Sequence, residues 1–318
     1  MSTPRVSVII PARDVQATLP RALAGVGSQD LGDGSFEVIV VDNGSRDGTA
    51  GLASRSAAVT RVVRRERGEG PGAARNAGVE AAAGSVLVFL DADCRPAPGW
   101  LTAGVSACRD ADLVQGRVQP DPEASRGPFD RTLSVGDAHG LFESANLFVR
   151  RECFERAGGF PAGLERSGAA PFGEDVIFGW RAVRAGARTA FCAGALVYHE
   201  VVARSAAGFI AERARLALFP ALAAEVPELR AGFFYRRLFL SPRSARFDLA
   251  VAGVALALAS SRRATLTAAA PYAWAVATDA RRWGLRRAPL VALAGLAADA
   301  AGAAALVRGS VRSRSLLL

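Results

Sequence analysis

Apolar runs that stop abruptly at polar or turn-forming residues organise the first 200 positions of the chain. Arg5-Val6-Ser7-Val8-Ile9-Ile10-Pro11 is a compact strand halted by proline, and Leu19, Leu23 and Val26 then recur at helical spacing. A second strand over Phe36–Val41 closes in Asp42-Asn43-Gly44-Ser45, a helix is predicted from near Thr49, and Thr60–Val63 supplies a short third strand. The glycine-rich turn from Gly68 runs into an alanine-rich helix that ends at Gly84. Val86–Leu90 then offers five consecutive apolar residues, the pattern of a strand buried on both faces, and ends in Asp91-Ala92-Asp93. Strands alternating with helices over this stretch imply βαβ units, right-handed crossovers and a parallel sheet.

The pattern is less regular further on. Pro96 and Pro98 break the chain, Trp100 begins a helix, Leu113–Val118 is a strand, and Pro120–Gly136 is rich in Pro, Asp, Arg and Gly, as expected of a long loop or lid. Ser144–Arg150 returns as a strand, followed by a short helix to Ala157 capped by Gly158-Gly159. Another strand tip is predicted at Leu196–Glu200. From Ser205 apolar residues alternate with arginines in an amphipathic pattern, and Phe233–Leu240 sets aromatics beside Arg236 and Arg237. Three apolar stretches close the chain, at Leu249–Ala259, Ala264–Thr278 and Ala288–Val307. The first two are short for a bilayer core that needs about 20 residues, and Asp299 lies inside the third. The expected divisions are 1–204, an α/β domain; 205–246, an interfacial linker; and 247–318, an apolar helical region.

Charge sharpens the view of the last third. The 318 residues carry a formal charge of +9, and every cation is arginine, in scattered pairs such as Arg262-Arg263, Arg281-Arg282 and Arg286-Arg287. Pairs flanking apolar segments point to an anionic membrane surface, and no aromatic-rich signature supports a nucleic-acid partner. Cys94, Cys108, Cys153 and Cys192 lack CxxC spacing and are expected to be reduced thiols. The first residues reach the turn-forming Pro11–Asp14 too soon for a signal peptide.

The chemistry concentrates where strands end. Asp91 and Asp93 either hold a hard divalent cation, Mg2+ or Mn2+, that carries phosphate oxygens, or simply mark a strand-to-turn junction. Asp42, followed by small residues, can accept a hydrogen bond from a base or ribose, although acid-Asn-Gly is also a common turn. The glycine-rich stretch does not have GxGxxG spacing. Arg75, just after it, can clamp a pyrophosphate, support the carboxylates, or sit on a solvated helix face. Glu174 and Asp175 open a helix, where they serve as helix-dipole partners or as a general base. His199 is one of two histidines, and is either a third metal ligand or a structural residue.

Six motifs occur in order: VSVIIPARD from Val6, VVDNGSRDGT from Val40, GPGAARNAG from Gly70, FLDADCRPAPGWL from Phe89, NLFVRRECFERAGGF from Asn146 and GEDVIFGWRAVRAG from Gly173. Together they resemble the family 2 inverting glycosyltransferases. The resemblance implies a GT-A fold, with a mostly parallel central sheet flanked by helices, and hexosyltransferase-type activity. It further implies that Pro11, Ala12, Asp42, Asn43, Arg75, Asp91 and Ala92 bind a UDP- or GDP-sugar, that Asp93 and His199 hold the metal, and that Asp175 is the catalytic base with Glu174 beside it. Asn43 stands where many relatives carry a second Asp. The QxxRW element of processive synthases is missing after Asp175, so one sugar is expected per encounter. The expected acceptor is a saccharide or lipid-linked hydroxyl at the cytoplasmic face of a membrane. Two other readings are a non-catalytic nucleotide-sugar binder and a sugar-nucleotide pyrophosphorylase. The latter needs a basic glycine-rich loop directly after the first strand, which Pro11–Asp14 does not supply.

Overall fold

The computed structural model describes residues 5–32, 35–161, 164, 172–260 and 263–318, so Arg262 lies outside the described residues. These fall into two compact units, one built from Met1–Ser125 and Thr132–Val201 and the other from Arg126–Arg131 and Val202–Leu318.

The first unit is a sheet with helices on both faces. Its strands are β1 (Val6–Ala12), β2 (Phe36–Asn43), β3 (Arg61–Arg65), β4 (Val86–Leu90), β5 (Cys94–Pro96), β6 (Leu113–Pro120), β7 (Asn146–Arg150) and β8 (Thr189–His199). The spatial order is β3-β2-β1-β4-β7-β6-β8-β5. The expected βαβ units form the parallel half, β3-β2-β1-β4, connected by helices α1 (Leu19–Gly27), α2 (Thr49–Arg55) and α3 (Pro71–Glu80). Beyond β4 the sheet is mixed. β7 runs antiparallel to both β4 and β6, and β8 is parallel to β6 but antiparallel to β5. The parallel expectation stops at β4 because β7 is reached through an irregular segment and not through a crossover helix.

Alternation along β1 builds both halves of the core. Val6, Val8 and Ile10 pack on one face with Trp100 and Phe148, while Ile9 joins Ile39, Leu87, Phe89 and Phe178 on the other. This two-sided burial explains why the strand sequences are continuous apolar runs. Helices α4 (Trp100–Ala107), α5 (Arg151–Arg156) and α6 (Glu174–Arg184) complete the unit.

The second unit is helical: α7 (Ala206–Glu212), α8 (Phe219–Glu225), α9 (Leu229–Gly232), α10 (Pro242–Ser260), α11 (Ala270–Arg281) and α12 (Ala288–Ser313). The amphipathic stretch after Ser205 is not one helix, because a 3-10 segment at Arg213–Leu218 separates α7 from α8. Among the described residues, only the apolar stretch in α12 lies in a helix long and apolar enough to cross a membrane, at 26 residues and a mean hydropathy of 2.0 over its most apolar window. Asp299 within it accepts hydrogen bonds from Arg243 Nε (2.8 Å) and the Tyr272 hydroxyl (2.8 Å).

Candidate active site

Parallel pairing aligns the C-terminal ends of β1, β2 and β4, the edge at which open α/β sheets bind ligands. Ala12 is the register partner of Asp42, so Pro11, Ala12 and Asp42 line one stretch of edge. A cleft of about 610 Å3 opens there, walled by Arg13, Asp42, Ser45, Arg64 and Arg67 among others. The Asp42 carboxylate accepts from Ser45 N (3.1 Å) and lies 3.8 Å from Arg64 Nε. Asn43 is turned to the glycine-rich loop: its Nδ2 donates to Gly70 O (3.0 Å) and its Oδ1 accepts from Glu69 N (3.4 Å). Ala92 packs its methyl into the core and offers a ligand only its backbone. The cleft arginines were missed in the sequence; the dense Arg61–Arg67 stretch, with four arginines, was the available signal.

Arg75 joins the two acidic constellations. It is 4 % exposed; its Nη2 lies 2.7 Å from Asp91 Oδ1 and its Nη1 lies 3.6 Å from Glu174 Oε1. The turn after β4 and the start of α6 therefore meet at one guanidinium, although their residues are far apart in sequence. Phe160 packs against the guanidinium. Arg75 Nε and Nη1 are buried without a hydrogen-bond partner, which leaves donor capacity for an incoming anion.

On the other side of Asp91, the antiparallel β5–β8 pairing sets Cys94 opposite His199. His199 Nε2 lies 3.5 Å from Asp93 Oδ2. The His199 ring donates from Nδ1 to the Glu200 carbonyl (2.7 Å), since a carbonyl only accepts, and this orients Nε2 toward Asp93. Burial, then the charge of Asp91, pushes the Asp93 carboxyl above its ordinary range, with His199 opposing. A carboxylate crowded by another carboxylate is a site short of positive charge. Asp93, Cys94 and His199 bring their ligand atoms within 4.8 Å of one another. Burial and both aspartates hold the Cys94 thiol protonated, which leaves the carboxylate, the donor suited to Mg2+ or Mn2+, and the imidazole, which fits Mn2+ better than Mg2+.

Helix α6 supplies the remaining acids. Gly173 enters it with φ +75°, a conformation that favours glycine. Asp175 Oδ1 accepts from Val176 N (2.9 Å) and Oδ2 from Ser144 N (3.4 Å). Burial, then the neighbouring Glu174, raises its carboxyl to about 6, against the pull of Arg75.

Ser144 belongs to a segment clamped onto α6. Trp180 Nε1 donates to Gly140 O (2.9 Å), and Phe142 sits edge-on to Trp180 over Gly179, where an added Cβ would meet its ring at 2.1 Å. Phe142 pays for this fit with a left-handed φ of +52°. The clamp carries Glu143, whose carboxyl is raised to about 7, first by burial and then by the charges of Asp175 and Asp137. His139 Nε2 lies 3.5 Å from it. No spacing in the sequence singled out Glu143.

The chain is similar to known proteins in sequence and in fold. Residues 7–160 match the glycosyl transferase family 2 model. Glycosyltransferase AglE of Haloferax volcanii is 34% identical over 196 residues, covering 58% of this chain and 62% of AglE. The pre-mycofactocin glycosyltransferase of Mycobacterium tuberculosis is 29% identical over 219 residues, covering 61% of this chain and 42% of that protein. The chain thus spans less than two thirds of the length of these curated relatives. Among solved structures, mannosyltransferase PcManGT from Pyrobaculum calidifontis, in complex with GDP-Man and Mn2+, matches with a TM-score of 0.57 at 22% identity over 98% of this chain and 88% of that one. S. aureus TarS 1-349 in complex with UDP-GlcNAc matches with a TM-score of 0.52 at 17% identity, over 98% and 92%. These two likenesses speak for the fold. Residues 7–160 thus form a glycosyl transferase family 2 domain, and the chain carries a GT-A fold.

Proposed function

We propose that the chain transfers a single sugar from a nucleoside diphosphate sugar, UDP- or GDP-linked, to a hydroxyl of a lipid-linked or cell-envelope saccharide at the cytoplasmic face of a membrane, with inversion. The observation that carries this reading is the double contact of Arg75 with Asp91 and Glu174. It ties the acidic turn after β4 to the start of α6, where Asp175 follows Glu174, and so supports one site for leaving group and acceptor.

Asp42 and the backbone of Pro11 and Ala12 hold the nucleoside, and Arg75, with donors not used in hydrogen bonds, meets the diphosphate. Asp93 and His199 Nε2 hold Mg2+ or Mn2+, which when bound neutralises negative charge growing on the departing diphosphate. Asp175 accepts the acceptor's proton as that oxygen attacks the anomeric carbon from the face opposite the diphosphate. The glycosidic C–O bond breaks in the same step, and its electron pair leaves with the nucleoside diphosphate. A carboxyl raised to about 6 is a stronger base than an ordinary aspartate and still ionised at neutral pH. The GDP-Man and UDP-GlcNAc named for PcManGT and TarS set the first donors to try.

The test is a thermal-shift screen of nucleoside diphosphate sugars with and without Mn2+, followed by nucleoside diphosphate release from the donor that stabilises the fold. A donor that binds only with metal and is consumed supports the reading; binding without consumption makes the chain a nucleotide-sugar binder.

A further inference from the structure

The helical unit contains a cavity of about 530 Å3 outside the catalytic cleft. Val291, Gly295 and Asp299, every fourth residue of α12, form one wall, and the other walls include Phe209, Arg213, Arg243, Asp279, Arg282 and Trp283. Both carboxylates in it are already taken. Arg243 reaches Asp299 through Nε (2.8 Å) and Asp279 through Nη1 (2.7 Å), and Tyr272 adds a third bond to Asp299. Arg213 is placed otherwise: its guanidinium lies over the Phe209 ring, 4.7 Å from the centroid, and its buried Nε has no hydrogen-bond partner. Three arginines against two aspartates leave the cavity with one positive charge, and a buried guanidinium nitrogen such as Arg213 Nε is costly without an acceptor. A singly charged phosphodiester satisfies both conditions, and the planar guanidinium suits its oxygens.

The same helix says what such a phosphate is attached to. Beside Val291 and Gly295, α12 exposes Leu290, Leu293 and Leu296, and Leu285 is exposed in the turn before it. Asp299 falls near the middle of α12, level with a cavity whose rim includes the exposed Arg282. Were α12 to span a bilayer, those charges would sit near the hydrocarbon centre, where they are expensive. A helix lying along the headgroup layer avoids the cost and brings lipid phosphates to the cavity.

We propose that this cavity binds the phosphate of an anionic phospholipid, held by Arg213 and Arg282, with the acyl chains along the exposed leucines of α12. The proposal deepens the membrane reading of the preceding section and rests on it. The experiment is flotation of the full chain with vesicles of phosphatidylcholine alone or mixed with phosphatidylglycerol, at low salt and at about 0.5 M NaCl, where exposed charges are screened. The wild type should float with the mixed vesicles at both salt concentrations, and Arg213→Gln should weaken the high-salt binding about tenfold while leaving any binding to phosphatidylcholine unchanged. Arg282→Gln, at the exposed rim, should weaken it in the same direction and serves if Arg213→Gln fails to fold. Wild-type flotation in both variants overturns the pocket but leaves membrane attachment standing. No flotation of the wild type overturns both. Inorganic phosphate that raises the melting temperature as much as the mixed vesicles do would make this a site for free phosphate, and would also overturn the lipid proposal.

Discussion

His199 Nε2 lies 3.5 Å from Asp93 Oδ2, brought there by the register that pairs Cys94 with His199 at the end of the sheet. If this pair holds the cation, Asp93→Ala and His199→Ala should each remove the Mn2+-dependent part of nucleotide binding. Calorimetric titration of UDP and GDP, with and without Mn2+, checks this. Metal-dependent affinity that survives in Asp93→Ala would assign the cation to other groups.

Arg75 is buried between two carboxylates, so removing it strands their charge. Arg75→Met should cost about 3 kcal/mol, lowering the melting temperature by about 2–4 °C for each kcal/mol. Arg75→Lys should recover only part of this, because a single ammonium cannot reproduce the fork that meets Asp91 and approaches Glu174. Thermal unfolding of the three proteins side by side decides it, and a wild-type melting curve for Arg75→Met would show that the pairs contribute nothing.

Glu143 gives a pH signature. Its carboxyl moves from an ordinary 4.5 up to about 7 in the folded chain, so between those values the folded state holds a proton that the unfolded state has released. Stability attributable to Glu143 is therefore present at low pH and is lost as pH rises toward about 7. Glu143→Gln removes this titration. Between about pH 5 and about pH 8 the wild type should lose several degrees more than the variant, at about 2–4 °C per kcal/mol. Parallel melting-temperature profiles would contradict the raised value.

The sequence carried the parallel half of the fold well because apolar runs such as Val86–Leu90 are long, unbroken and flanked by turn residues, so local pattern and tertiary burial agree. The same runs located Asp42, Asp91 and Asp93, since a strand that stops at an acid also marks the sheet edge. In the mixed half β6, β7 and the tip of β8 were legible as strands, but β5, the start of β8 and the antiparallel pairing were hidden. β5 is three residues long, and β8 is exposed along part of its length, so neither leaves a clear apolar period. Glu143 escaped because its surroundings are made by the Phe142 clamp, a contact between distant segments that no local spacing encodes. Asp299 within an apolar run gave no hint of its partners Arg243 and Tyr272, which come from other helices.

Acid should stop the reaction through Asp175. Its carboxyl is raised to about 6, and only the ionised form accepts a proton, so the rate should fall as pH drops through that value. A rate that stays flat down to about pH 5, well below that value, would point to a base of lower pKa.

The decisive measurement is nucleoside diphosphate release by Asp175→Asn, made together with donor binding in the presence of Mn2+. Release should fall by at least about 100-fold, while donor affinity stays within about twofold of wild type, because the leaving-group side of the cleft is untouched. Release at the wild-type rate would contradict the account, since the proton of the incoming hydroxyl would then be going somewhere other than Asp175.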